Sequence, residues 1–326
     1  MIISRTPFRI SFFGGGTDYP TWLENHPGAS LVTTIDKYCY ISCRYLPPFF
    51  DHKSRIVYSK IEAVKTVEQI QHPAVRMALS SLGIKEGLEI HHDADLPART
   101  GIGSSSSFAV GLLNALRELK GISRSKYQLA EEAIYLEQTL CNENVGCQDQ
   151  ISTTFGGLNH LRFNKEGFTV EKVKISQERI KELESHLMLF FTGFSRIASK
   201  VAKHQIKNIP NKEAELMAIY NMVIKAVDIL HTGDILDFGR LLHDSWLLKR
   251  SLSDKVSTYI IDEYYKTAIL AGALGGKLLG AGGGGFLLLF VEPDKQERVR
   301  KHLSHLLEVP FKFENMGTQI IGNHNV

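Results

Sequence analysis

The chain has 326 residues, of which 43% are hydrophobic and 22% charged, and 38 basic side chains face 35 acidic ones for a formal charge of +3. That length can hold two packed domains, and that composition excludes a disordered or fibrous chain. Charges of both signs are interspersed, so a nucleic-acid partner is not expected, and no apolar run approaches the roughly 20 residues that span a bilayer, so no membrane partner is expected either.

From the N-terminus, MIISRTPFRISFFGG has an apolar stretch broken by Arg5 and Arg9 with no small-residue cleavage site, so it does not read as a leader. A cytoplasmic location is the expectation. Alternation of β-branched and aromatic residues with polar ones predicts strands over Thr33–Leu46 and Arg55–Tyr58, and Val67–Leu82 reads as a helix. A short strand, Leu88–His92, leads through DADLPARTGIG into an amphipathic helix that begins at Ser104–Ser107 and stops near Gly121. A helix over Lys126–Leu140 and a turn-rich stretch Cys141–Gly146 follow, with strands over Leu158–Phe163, Phe168–Val173 and Leu187–Phe191. The second half is mainly helical, over Arg196–Ile206, Lys212–His231, Ile235–Arg250 and Asp254–Ala271. It closes on the run GGKLLGAGGGG, an apolar strand Phe286–Val291, a helix over Lys295–Leu307 and two short strands. The expected division is 1–192 and 193–326. Cys39, Cys43, Cys141 and Cys147 lack CxxC spacing and no HExxH is present, so the thiols read as plain and a zinc site has no support.

Three glycine-rich segments carry chemistry. A phosphate needs closely approaching N–H donors, which glycine turns and helix starts supply. TGIGSSSS offers both: Gly101 and Gly103 let the chain curl, and Ser104, Ser105, Ser106 and Ser107 stand at the positive end of the helix dipole. A serine-capped helix after a glycine turn is the plainer reading, but four successive serines exceed what one cap needs. The loop lacks the lysine of a GxxxxGK[ST] loop, so the cation must come from elsewhere. In the first segment, RISFFGGGTDYP, Asp18 follows three glycines and is placed either to accept hydrogen bonds from ligand hydroxyls or to close a turn. The third, GKLLGAGGGGF, holds a formal GxGxxG that precedes a strand and lacks a βαβ unit, which argues against a dinucleotide fold.

In this order and over essentially the whole chain, the segments resemble the three motifs of the GHMP kinases. The resemblance implies a mixed α/β (α+β) fold of two domains, the second of them ferredoxin-like, with the site between them. It implies ATP as phosphoryl donor and Mg2+ as cofactor, with a nucleotide phosphate loop made of Pro97, Gly101, Ile102, Gly103 and Ser104–Ser107. Asp149 would face the acceptor hydroxyl and Arg9 would be the catalytic cation, while Glu137 with a hydroxyl of Ser104 or Ser105 would hold the metal. Gly15, Gly16, Thr17 and Asp18 would line the acceptor turn, and the third run, with Gly282 and Gly283, would buttress loop and acceptor by close backbone approach. The stretches FGGGTDYP, VGCQDQISTTFGG, FTGFSRIASKV and WLLKRSLS are most similar to members acting on a seven-carbon sugar phosphate at its anomeric oxygen, and fucose kinases share much of the pattern. A sugar phosphate is therefore the expected partner, met by cations among Arg196, Lys200, Lys249, Arg250 and Lys277. Fucose- or galactose-type acceptors, a non-catalytic nucleotide and sugar sensor, and a homodimer stay open.

Overall fold

The structure, a computed structural model, describes residues 1–193 and 198–323. The first sheet has nine strands: β1 (Ile2–Phe13), β2 (Gly28–Tyr45), β3 (Ser54–Val57), β4 (Ile61–Val64), β5 (Leu88–Ala94), β6 (Asn159–Asn164), β7 (Gly167–Lys172), and two that arrive from the far end of the chain, β12 (Phe313–Glu314) and β13 (Gln319–Asn323). Its main path runs β13-β1-β2-β5-β3-β4, with β6 and β12 also on the long β2. Only β3 and β5 pair in parallel; the other described pairings are antiparallel. Most of β1 and the first half of β2, Gly28–Ile35, are buried, whereas the second half of β2 alternates between buried and partly exposed residues, as its sequence pattern predicts.

The second sheet, β8 (Leu187–Phe191), β9 (Ala273–Leu278), β10 (Phe286–Val291) and β11 (Leu307–Glu308), is ordered β11-β8-β10-β9. Counted within the sheet this is the 4-1-3-2 order of a ferredoxin-like unit, with helices between its first two and last two strands. The expected division at 192 is not where the sheets divide. β8, which precedes it, pairs with β10, while β12 and β13, which follow it, pair with β2 and β1.

Among the described residues eleven α-helices surround the sheets: α1 (Pro20–Leu23), α2 (Pro73–Ser81), α3 (Ser104–Leu119), α4 (Lys126–Ile134), α5 (Gln148–Phe155), α6 (Gln177–Ser185), α7 (Ala198–Asn208), α8 (Glu213–Thr232), α9 (Ile235–Ser251), α10 (Tyr259–Ala271) and α11 (Gln296–His302). The helix expected over Val67–Leu82 is broken: a 3₁₀ turn at Val67–Gln69 ends ahead of Pro73, whose ring and missing N–H suit a helix start rather than an interior. Among the described residues no helix is long and apolar enough to cross a membrane.

The two sheets share one core. Phe238 of α9 sits edge-on to Phe12 and Phe13 of β1, with ring centroids 5.4 and 5.2 Å apart, and 6.2 Å from Phe290 of β10. All four rings are essentially buried. Phe238 is thus one of the buried side chains that join the two layers.

At that opening, segments distant in sequence meet backbone to backbone. A Cβ on Gly280 (φ 69°) would lie 2.4 Å from Gly101 Cα, and one on Gly101 (φ 84°) 2.3 Å from the Leu279 carbonyl oxygen. Gly121 has nearly the same φ, 67°, with nothing near its absent Cβ. Gly121→Ala is therefore expected to cost about 1 kcal/mol through backbone strain alone. Gly280→Ala should cost at least about 2 kcal/mol, because backbone must also move. Equal losses in denaturant unfolding would show that the close approach is not maintained.

Candidate active site

The phosphate loop hangs between β5 and α3. Gly101 and Gly103, at φ 84° and 73°, turn it through left-handed conformations, and Gly103 caps α3 without a side chain. The first-turn N–H groups of α3 thus face the cleft that Ser104, Ser105 and Ser106 line. The four serines divide their work. Ser104 Oγ accepts from the Arg99 N–H at 3.0 Å and closes the loop, while Ser105 and Ser106 donate to Glu137 Oε1 and Oε2 at 2.5 and 2.7 Å. Ser107 donates to the Pro7 carbonyl, 3.0 Å away, and ties α3 to β1. The hydroxyls meeting Glu137 are therefore those of Ser105 and Ser106, not Ser104. Pro97, Ile102 and Ser107 shape the loop from behind: Pro97 accepts from the Thr100 hydroxyl, and buried Ile102 accepts the Arg9 N–H.

Glu137 lies where α4 loosens into a π-helical segment, Tyr135–Leu140, instead of continuing as the regular helix expected to Leu140. Such local unwinding re-aims side chains and often marks functional positions. Its carboxylate is 2% exposed and also receives the Gln150 amide at 2.6 Å. Burial pushes its pKa up against those three donors, and the negative charge of Asp149 adds to the push.

Asp149 stands in the first turn of α5, where the helix dipole favours an anion. Arg9, 3% exposed, clamps it through Nε to Oδ1 at 2.7 Å and Nη2 to Oδ2 at 2.6 Å, while its Nη1 donates to the Gly101 carbonyl at 2.7 Å. One planar group therefore joins the Asp149 carboxylate to the glycine- and serine-rich loop. Two buried lysines line the same cleft. Lys277 donates to the Phe12 carbonyl at 2.8 Å; Lys249 donates to the Leu278 carbonyl at 3.0 Å and to that of Gly280. Burial, with Arg9 nearby, pushes Lys249 down to about 7, and burial with Lys249 and Arg9 holds Lys277 well below the ordinary lysine range. Arg250 instead pairs with Asp262 at 2.9 Å and does not line the cleft. Arg196 and the side chain of Lys200 lie outside the described residues.

Of the turn after β1, Gly15, Gly16 and Asp18 line the cleft. Thr17 does not: fully buried, its hydroxyl bonds the Gly14 and Ala29 carbonyls at 2.8 and 3.0 Å and holds the turn closed. In the third glycine run the lining residues are Gly280 and Ala281, whereas Gly282 and Gly283 are buried against Val256, whose carbonyl accepts the Gly283 N–H at 2.9 Å. Asn144, Val145 and Gly146, read only as turn residues, form part of the wall, as do Gln148 and Gln205. A Cβ on Gly146 would sit 1.8 Å from Asp18 Oδ2, so that glycine makes room for the carboxylate. Asp18 is 3% exposed and accepts only backbone N–H groups, Gly16 at 3.2 Å and Gln148 at 3.3 Å. Burial, reinforced by Asp149, pushes it up to about 6.

Residues 63–157 match the GHMP kinases N terminal domain, and residues 224–308 match GHMP kinases C terminal. Over 316 residues the chain is 30% identical to D-glycero-alpha-D-manno-heptose 7-phosphate kinase of Campylobacter jejuni, covering 93% of each protein. It is 27% identical to L-fucokinase/L-fucose-1-P guanylyltransferase of Bacteroides fragilis, over 93% of this chain and 36% of that protein. A D-glycero-D-manno-heptose 1-phosphate kinase from Bacteroides thetaiotaomicron superimposes with a TM-score of 0.81 at 23% identity, over 100% of both chains, and shows the fold.

The raised pKa of Asp18 gives two coupled expectations. Its proton binds more tightly in the folded chain, so ionising it at neutral pH opposes folding by about 3 kcal/mol, and stability should grow as pH falls through 6. Asp18→Asn should raise the melting temperature at pH 8 and flatten that dependence. If the carboxylate serves an acceptor hydroxyl, acceptor KM should climb below pH 6 in the parent chain and be high at every pH in the variant. A variant with parental KM would remove Asp18 from binding.

Proposed function

We propose that this chain, which belongs to the GHMP kinase family and is an ATP-dependent sugar phosphotransferase, phosphorylates the anomeric hydroxyl of D-glycero-D-manno-heptose 7-phosphate to give the 1,7-bisphosphate, a step towards nucleotide-activated heptose. The observation that carries the reading is the Arg9 guanidinium, bonded at once to Asp149 and to the Gly101 carbonyl of the phosphate loop. The bond between the anomeric oxygen and the γ-phosphorus forms as the bond to the β,γ-bridging oxygen breaks. Such transfers pass through a loose transition state that needs positioning and charge more than a strong base. Asp149, fixed in place by the clamp, accepts a hydrogen bond from the anomeric O–H and aims its lone pair. Arg9 offsets charge on the moving phosphoryl group, and the α3 N–H groups cradle the phosphates behind it.

On the acceptor side Gly15, Gly16 and Asp18 meet sugar hydroxyls, and Lys277 supplies positive charge for an anionic acceptor. The heptose 7-phosphate kinase relative supports that acceptor over a neutral sugar. The magnesium ion expected with ATP fits what is present: Glu137 is a buried carboxylate whose partners are two hydroxyls and an amide. Among the described residues no cluster of three His, Cys, Asp or Glu side chains is present, which suits a metal that takes few protein oxygens and completes its shell with phosphate. Glu137 and Ser105, with Ser104 beside them, would hold it. When bound, the ion offsets the charge of the β- and γ-phosphates.

The test is incubation with ATP and magnesium against heptose 7-phosphate, heptose 1-phosphate, fucose and galactose, following ADP release and locating the new phosphate by phosphorus NMR. A new anomeric phosphate on heptose 7-phosphate is the expected result. A product formed only from heptose 1-phosphate or a neutral sugar would reassign the acceptor, and nucleotide binding without transfer would make the chain a sensor. Asp149→Asn should lower kcat by about 10²- to 10⁴-fold. Glu137→Gln should instead raise the magnesium concentration needed for half-maximal ADP binding, read by calorimetry; an unchanged requirement would remove Glu137 from the metal.

A further inference from the structure

Lys249 is a buried lysine that forms no ion pair among the described residues. It stands in the last turn of α9, is 7% exposed, and its Nζ lies 6.0 Å from the Trp246 ring centroid. Two main-chain carbonyls, Leu278 and Gly280, take two of its three N–H groups. Asp149, the carboxylate whose charge it feels, has both oxygens engaged by Arg9. A charge buried this way is costly unless something supplies the opposite sign. The third N–H has no hydrogen-bond acceptor among the described residues, and Lys249 lines the cleft.

Resting on the reading of this cleft as a phosphoryl-transfer centre, we propose that Lys249 is a catalytic residue whose free N–H meets an oxygen of the transferring phosphoryl group. Its place argues for that group over a phosphate already on the acceptor. Gly280, whose carbonyl accepts from Lys249, packs directly on Gly101, and Arg9 holds the same Gly101 through its carbonyl at 2.7 Å. Lys249 and Arg9 therefore flank one point of the phosphate loop. In a loose transition state negative charge spreads over the oxygens of the moving group, where two fixed cations act together.

A lysine that only braced the glycine run would need no particular charge, so pH separates the two roles. The charged and titratable groups that line the cleft with Lys249 are Arg9 from β1, Asp18 and Tyr19 from the turn after β1, Arg99 ahead of α3, Asp149 from α5 and Lys277 from β9. With its pKa lowered to about 7, the ammonium is charged below that pH and neutral above it. Bound polyanion favours the charged form, so the alkaline fall belongs to kcat/KM for ATP and should move to higher pH in kcat. Asp18, near 6, acts on the acid side.

Lys249→Met should lower kcat about 10²- to 10³-fold. It should keep MgADP affinity within about threefold, and lose the tighter binding of MgADP with aluminium fluoride, a mimic of the moving group, by a similar factor. Lys249→Arg should retain most activity and lose the alkaline fall in kcat/KM, because a guanidinium stays charged. The proposal is overturned by parental kcat and mimic binding in the methionine variant. It is equally overturned by an unchanged pH profile in the arginine variant, or by an inactive arginine variant beside a parent whose rate rises through pH 7, which would make Lys249 a base. Parent protein that transfers phosphate to no acceptor would sink the reading of the site itself, and that is seen before any variant is compared.

Discussion

The guanidinium of Arg9 is the reference to which both sides of the cleft are set. It is almost wholly buried, so its N–H groups must find acceptors within the fold, and its rigid plane dictates where those acceptors stand. Two are the oxygens of Asp149 at the start of α5, and a third is the carbonyl of Gly101 in the phosphate loop. The backbone N–H of the same residue bonds the carbonyl of Ile102. Loop and carboxylate are thus positioned by one residue of a strand whose own place is fixed by pairing with β2 and β13.

The second constraint is close contact between main chains. The phosphate loop leans on the third glycine run at Gly101 and Gly280, and Phe286, at the head of β10, donates its N–H to the Thr100 carbonyl. Through these contacts the second sheet supports the loop that the first sheet carries. A side chain at either glycine would force the two backbones apart at the mouth of the cleft. The electrostatic arrangement follows the same plan. Arg9, Lys249 and Lys277 are buried around the cleft, and only Arg9 among them bonds a carboxylate, so the positive charge is prepared for a polyanion that the protein does not itself supply.

Much of the framework was legible in residue order. The strands Leu187–Phe191 and Phe286–Val291 and the helix opening at Ser104 follow apolar periodicity and stand where expected. Less was legible where a local signal was overridden by its surroundings. Periodicity carries the helix of Lys126–Leu140 straight through, yet the last six residues widen into π geometry with Glu137 turned inward to Ser105, Ser106 and Gln150. The four serines look equivalent as a string; helical rotation gives each a different partner. β12 and β13 are too short to announce that they return to the first sheet, since what recruits them is an open position beside β1 and β2 that no local pattern encodes.

By itself the sequence determined the family resemblance, the mixed α/β character, the glycine positions and the identities of Arg9, Asp18, Glu137 and Asp149, because those depend on residue type and short-range spacing. Only the tertiary structure decided which of them act together. It placed Lys249, one of five equivalent-looking cations in the sequence, in the cleft and sent Arg250 to Asp262. It turned Thr17, Gly282 and Gly283 into packing residues and brought Gly146 against Asp18. The physical reason is that burial, desolvation and backbone approach are properties of surroundings assembled from distant segments, and a residue's neighbours along the chain carry no information about them.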